Sequence, residues 1–236
     1  MQERYLGDSH DYAKYALLRH ISGALGARIG LNWYLTHGAL VDKAGNNDGE
    51  KRHHFASRKW TGWEAELLEQ LAPLQLFADR QLGKFYQLGI LPSETIYFDV
   101  PVATSDRSAW HQSARSALSA ADLIFVDPDN GFEVPSMTRR TKPKYAFYRE
   151  VMDFLSDNKI VVAIQFARQC DPTLRALAVR QRLSLLVGCD IRIPVIRARM
   201  APNLLFVTIA PEGLEVSVAG AITAFASGRD KIELIA

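Results

Sequence analysis

Apolar and polar positions follow two periods along this chain, and the switching between them predicts an α/β order. From Asp11 to Ser22 (DYAKYALLRHIS) apolar residues recur at helical spacing, with Asp8 or Ser9 as N-cap and Gly23 and Gly26 near the end, so a helix is predicted. Arg28–Leu35 (RIGLNWYL) predicts a strand. After it comes a polar stretch of 20 residues, THGALVDKAGNNDGEKRHHF, and a loop that long inside a compact domain is more often functional than inert. Trp63–Leu71 and Leu76–Leu88 predict helices, the first with Trp63, Leu67, Leu68 and Leu71 on one side. A strand over Glu94–Val100, a helix over Ala109–Leu118, a strand over Leu123–Val126, a helix over Tyr145–Leu155, a strand over Lys159–Phe166 and a helix over Thr173–Val187 follow. This alternation implies a Rossmann-like α/β fold, a mostly parallel sheet with helices on both faces. Asp190–Met200 and Leu204–Ala210, joined by Ala-Pro-Asn, predict a C-terminal antiparallel hairpin closing one sheet edge, before a last short helix and strand.

One of these strands carries the first sign of chemistry. Leu123–Val126 has no polar interruption, as expected of a strand covered on both faces of a parallel sheet. Asp127 then falls at its carboxyl end, where open α/β sheets place their ligand sites. The residues that follow, Pro128, Asp129, Asn130 and Gly131, are also ordinary turn formers, so the segment is either a carboxylate delivered into a site or a simple turn.

Composition narrows the classes. With 236 residues the chain suits one α/β domain spanning 1–236, and 48% hydrophobic with 23% charged residues is ordinary for a soluble globular protein. A net charge of +2 permits a nucleic-acid partner without arguing for one. Cys170 and Cys189 form no CxxC pair, and no signal-peptide-like or membrane-length apolar segment is present, so a cytoplasmic protein is expected. No metal site is expected: His53 and His54, with His37, Asp48 and Glu50 nearby, lack a recognised ligand spacing.

Helical spacing puts Asp11, Lys14, Tyr15 and Leu18 on one side of the first helix, with Gly7 and Asp8 just ahead. The string GDSHDYAKY resembles the GNxxDVxKH element that opens the adenine-N6 methyltransferases of large-subunit ribosomal RNA, with Gly7, Asp11 and Lys14 matching outright. In that family a strand ending in Asp-Thr-His precedes the glycines that hold S-adenosylmethionine, and here Thr36, His37 and Gly38 follow NWYL. A later strand there ends in Asp-Pro-Pro-Tyr, and here Asp127 and Pro128 take that place. The chain also resembles a bacterial family that shares GDxxDYxKY, NWYLT and DPDNG, from which no activity follows.

The methyltransferase resemblance implies a methyltransferase-type sheet and an S-adenosylmethionine-dependent enzyme acting on adenine in RNA or DNA. Asp127, Pro128, Asn130 and Lys14 would be its catalytic group, and Thr36, His37, Gly38, Asp99 and Asp11 would border the cofactor. Asp127 and the Pro128 carbonyl would accept hydrogen bonds from the exocyclic amine, turning its lone pair toward the methyl donor, a gain of orientation. Two departures stand out. Asn130 replaces the family's base-stacking aromatic, with Phe132 two residues on as a substitute, and no GxGxG turn follows the first strand, leaving Gly38 and the loop residues Asn46, Asn47 and Asp48. Arg139, Arg140 and Lys142 after the turn, with Gln165 near the end of the KIVVAIQF strand and Arg168 after it, are expected to meet nucleic acid, the basic residues by neutralising phosphates. Two other readings stay open: a metal-dependent nucleic-acid or nucleotide hydrolase using Asp127 and Asp129, and a non-catalytic binding or regulatory protein on the same scaffold.

Overall fold

The fold is taken from a computed structural model in which residues 1–42, 51–55, 63–200 and 202–236 are described. Helix α1 (Ser9–Leu25) starts where the Asp8 side chain accepts the N–H groups of His10 and Asp11, and it stops at Gly26, whose left-handed φ of 61° closes the last turn. Strand β1 (Ile29–Asn32), the single turn α2 (Gly38–Val41), α3 (Ala65–Leu71), α4 (Leu82–Gln87) and β2 (Ile96–Phe98) follow. Next come α5 (Arg107–Ala117), β3 (Leu123–Val126), the short pair β4 (Gly131–Phe132) and β5 (Tyr145–Ala146), α6 (Tyr148–Ser156) and β6 (Ile160–Ala167). The chain continues through α7 (Pro172–Val187), β7 (Val195–Ala198), β8 (Asn203–Ile209), α8 (Glu215–Ala226) and β9 (Ile232–Ile235).

The main sheet has seven strands in the order β2-β1-β3-β6-β8-β7-β9. Its first four strands run parallel, β8 is antiparallel to both β6 and β7, and β9 is antiparallel to β7. Register aligns Asn32 with Val126 and Val126 with Ala163, so the carboxyl ends of β1, β3 and β6 open at one level. The chain passes from β1 to β2 on one side and to β3 on the other. The crevice between the ends of β1 and β3 is therefore the switch point at which open α/β sheets bind ligands.

Alternation along β3 divides the core. Leu123 and Phe125 pack with α1 and α8 on one face, while Ile124 and Val126 pack with α5, α6 and α7 on the other. Each such side chain is fully buried, worth roughly 1.5–3 kcal/mol apiece. Helix α1 is buried from Ser9 through Leu18 because α3 and α8 cover the side turned away from the sheet. Polar residues on it are thus enclosed rather than solvated.

Several expectations change. The first strand ends at Asn32, and Tyr34 takes a left-handed φ of 44°. The helix expected from Tyr145 begins at Tyr148, since Tyr145 and Ala146 pair with Gly131 and Phe132 as the β4–β5 ribbon. Leu76 and Phe77 are exposed, so the continuous helix expected over Leu76–Leu88 shrinks to a 3-10 turn at Phe77–Asp79 followed by α4. The β7–β8 hairpin forms but does not end the sheet, because β9 adds a further strand beyond β7.

Candidate functional site

Two elements distant in sequence meet at the bottom of one cleft. Lys14 Nζ lies 3.0 Å from Asp11 Oδ1 and 2.9 and 3.1 Å from Asp127 Oδ1 and Oδ2. All three are buried, with Asp127 1% exposed. Burial alone would lower the lysine pKa, but Asp11, Asp127 and Asp8 together raise it above the ordinary lysine range, so Lys14 stays a cation. Burial pushes the Asp11 carboxyl up to about 6, helped by Asp8 and Asp127 and opposed by Lys14. Asp11 is thereby placed where a carboxyl can exchange a proton near neutral pH.

Local backbone sets this geometry. Gly7, at φ 74°, donates its N–H to Asp11 Oδ2 at 3.0 Å, and a Cβ there would stand 2.6 Å from the Cβ of Leu74. Asp8 caps α1 and also faces His10 Nδ1 at 3.3 Å, while His10 Nε2 lies 3.1 Å from the Pro202 carbonyl. Burial raises the Asp8 pKa less than His10 and Lys14 lower it, so this carboxyl stays ionised. On the other wall, Gly131 has φ 93° and a Cβ there would fall 2.7 Å from Gln165 Oε1. That amide oxygen accepts the Phe132 N–H at 3.0 Å, so β6 pins the turn that carries Asp127.

The cleft is bounded by His10, Asp11 and Lys14 of α1 with its cap Asp8, by residues 127–130, and by Ile164, Phe166 and Arg168 from β6 and its end. Met1, Gln2, Tyr5, Lys144 and Pro202 complete it. Met1 lies in the switch-point crevice: its amine bonds the Tyr34 carbonyl at 2.8 Å and pairs with Asp129 Oδ1 at 3.0 Å, and its carbonyl accepts the Thr36 N–H at 2.8 Å. Thr36 also donates its hydroxyl to Asp129 Oδ2 at 2.7 Å. Burial raises the Asp129 pKa, but the Met1 amine, Lys144 and Thr36 outweigh it and hold the carboxyl below its ordinary value.

Behind the crevice the strained Tyr34 is locked by a second buried cluster. Its hydroxyl donates to Glu150 Oε2 at 3.0 Å, and Arg107 bonds both carboxylate oxygens of Glu150 at 2.7 and 2.9 Å. Arg107 also lies over the Tyr34, Trp110 and Phe147 rings. A non-glycine residue held at positive φ needs such support.

The residues named from sequence divide into groups. Asp11, Lys14, Asp127, Pro128, Asn130 and Arg168 line the cleft, and Thr36 touches it through Asp129. His37 is exposed, and Asp99 is exposed and accepts the Tyr86 hydroxyl at 3.0 Å; neither borders the cleft. Phe132 is buried and stacks on Tyr148 at 4.7 Å, so it offers no free ring face. Gln165 is likewise buried and serves the turn. Arg139, Arg140 and Lys142 are exposed, with Arg140 bonded to the Asp42 carbonyl and Lys142 over the Phe147 ring. Asn46, Asn47 and Asp48 lie outside the described residues. His10 and Phe166 carry no local mark of a site, because the apolar period of α1 and β6 accounts for both; Asp8 is marked only as a cap, and Gln2 has no local signal at all.

A methyl donor would have to be held at the end of β1, and the residues there do not fit one. The Thr36 N–H and the Tyr34 carbonyl are taken by Met1, and a Cβ on Gly38 would meet Gln2 Oε1 at 2.8 Å, so the space beside that glycine is filled. Among the described residues no group of three or more His, Cys, Asp or Glu side chains is arranged to hold a metal ion, and no helix is long and apolar enough to cross a membrane. Comparisons with family models, curated proteins and solved structures find no match.

Proposed function

We propose that this protein binds the amine-bearing edge of a nucleic-acid base, of adenine type, in the cleft at the end of β3, on a methyltransferase-type scaffold. The observation that carries this reading is the Asp11–Lys14–Asp127 cluster at the cleft floor beside Pro128–Asn130. A carboxylate has about four lone-pair positions. Lys14 engages one on each oxygen of Asp127, leaving acceptor capacity for an exocyclic N–H, with the Pro128 carbonyl as second acceptor. Lys14, bonded to both carboxylate oxygens, holds Asp127 oriented before the ligand arrives. The binding role needs no group at the end of β1, where Met1 and Gln2 sit.

Binding is tested by fluorescence anisotropy of a labelled single-stranded adenine oligonucleotide. Asp127→Asn keeps the shape but halves the acceptor capacity, and hydrogen bonds to charged groups are worth roughly 1.5–3 kcal/mol, so affinity is expected to fall about 10- to 150-fold. Unchanged affinity in a folded variant contradicts the reading.

A second reading, S-adenosylmethionine-dependent transfer to that amine, requires Met1 and Gln2 to vacate the end of β1, and one observation favours it. The elements behind the methyltransferase resemblance meet in space, Lys14 on Asp127 and Thr36 on Asp129. Calorimetry with millimolar S-adenosylmethionine separates the two: heat of binding supports transfer, and its absence leaves binding alone. The metal-hydrolase reading gains nothing, because Asp127 is paired with Lys14 and Asp129 with the Met1 amine.

A further inference from the structure

A base whose amine reaches Asp127 also needs something against its ring face, and the turn does not supply it. Asn130 has no ring, and both faces of Phe132 are committed, since it is 1% exposed and stacked on Tyr148. The aromatic surface in the cleft comes from β6 instead. Phe166 is half-buried in the cleft wall, the His10 ring stands edge-on to it at 5.4 Å and 81°, and the Arg168 guanidinium lies 5.0 Å from its centroid. Arg168 is exposed, and the described residues give it no carboxylate partner, so its planar group is free to stack or to meet a phosphate. The half-buried phenyl ring thus meets His10 at near a right angle and carries the exposed Arg168 guanidinium over it.

We propose that Phe166 and Arg168 form the stacking platform for an unpaired base in this cleft. The base must be unpaired because Asp127 is 1% exposed at the cleft floor, out of reach of a base edge held inside a duplex. Arg168 either swings aside to free the Phe166 face or covers the base from above; both place a planar group on the base, and its charge is then close to the strand's phosphates. The substrate class is single-stranded nucleic acid, or a nucleotide turned out of a helix. This inference rests on the amine-binding reading above, but its residues are different, so the two fail separately.

The test compares labelled single-stranded adenine oligonucleotide with the same strand in a duplex, using wild type, Phe166→Ala, Phe166→Leu, Arg168→Lys and Asp127→Asn. A parallel titration places 2-aminopurine in the strand, whose emission is quenched by stacking. Loss of base–aromatic stacking is expected to weaken binding about 5- to 150-fold in Phe166→Ala and to abolish the quenching. Arg168→Lys keeps the charge on an exposed residue and cannot unfold the core, so weaker binding with an unchanged salt slope supports the planar role. Phe166→Leu and Arg168→Lys both within twofold of wild type overturn the platform, even if Asp127→Asn still loses affinity. Weakening by the Phe166 and Arg168 variants without an effect of Asp127→Asn overturns the amine reading and leaves the platform standing. Equal affinity for duplex and single strand overturns the requirement for an unpaired base.

Discussion

Replacing Lys14 by methionine isolates the electrostatics on which the site rests. With the ammonium in place, Asp11 titrates at about 6 against an ordinary 3.8, a rise that corresponds to roughly 3 kcal/mol spent on ionising it at pH 8. Lys14→Met removes the cation 2.9 to 3.0 Å from both carboxylates and leaves Asp11 and Asp127 buried together without a counter-charge. Breaking a buried pair by deleting one partner costs roughly 3–5 kcal/mol, and that loss is expected in urea unfolding at pH 8. Protonation then offsets part of it. Without Lys14 the Asp11 pKa rises further, so between the unfolded value of 3.8 and the raised folded value the native variant holds a proton that the unfolded chain does not. Its stability should therefore recover as pH falls from 8 to 5, by up to about 1.4 kcal/mol per pH unit for one proton. The double variant Lys14→Met, Asp127→Asn should lose less than Lys14→Met alone, since one of the two stranded charges is gone. A loss below about 1 kcal/mol, equal at both pH values, would refute the buried-triad account.

Other consequences follow from single contacts. Gly131→Ala combines a φ of 93° with a Cβ 2.7 Å from the Gln165 amide, so it should destabilise the fold by roughly 1–3 kcal/mol and weaken oligonucleotide binding with it, read by thermal unfolding and anisotropy. Glu150→Ala leaves the half-buried Arg107 without its carboxylate and the buried Tyr34 hydroxyl without its acceptor, for an expected loss of roughly 1–3 kcal/mol in urea unfolding. The wild-type protein should gain stability as pH falls from 7 toward 5, because the raised Asp11 pKa favours the native state as it protonates. It should then lose stability at lower pH, as the depressed Asp8 and Asp129 carboxyls take up protons; urea midpoints across this range check both limbs.

Local pattern carried much of this fold and part of the site. An unbroken apolar run marked β3, a run interrupted only by Gln165 marked β6, and the Asp8 cap with Gly26 marked both ends of α1, because these depend on neighbours a few residues away. Helical spacing placed Asp11 and Lys14 together, but their meeting with Asp127, 113 residues from Lys14, depends on how α1 packs over the sheet. Phe132 looked available beside a polar turn, yet strand pairing with Ala146 carries it into the α6 layer. Tyr145 and Ala146 looked helical because nothing local signals a two-residue ribbon whose partner precedes it by 14 residues. Leu76 and Phe77 are apolar but exposed, so counting apolar residues there overstated a helix. His10 and Phe166 were passed over since each lies in an element whose pattern is explained by packing alone, while their contact joins α1 to β6.

The base-binding account is tested most directly by comparing single-stranded oligonucleotides that differ at one position, adenine against purine, which lacks only the exocyclic amine. If Asp127 accepts that amine, wild type binds the adenine strand about 10-fold or more tighter, and Asp127→Asn removes most of the preference while Lys14 keeps Asp11 as its partner. Equal binding of the two strands by the wild-type protein would contradict it.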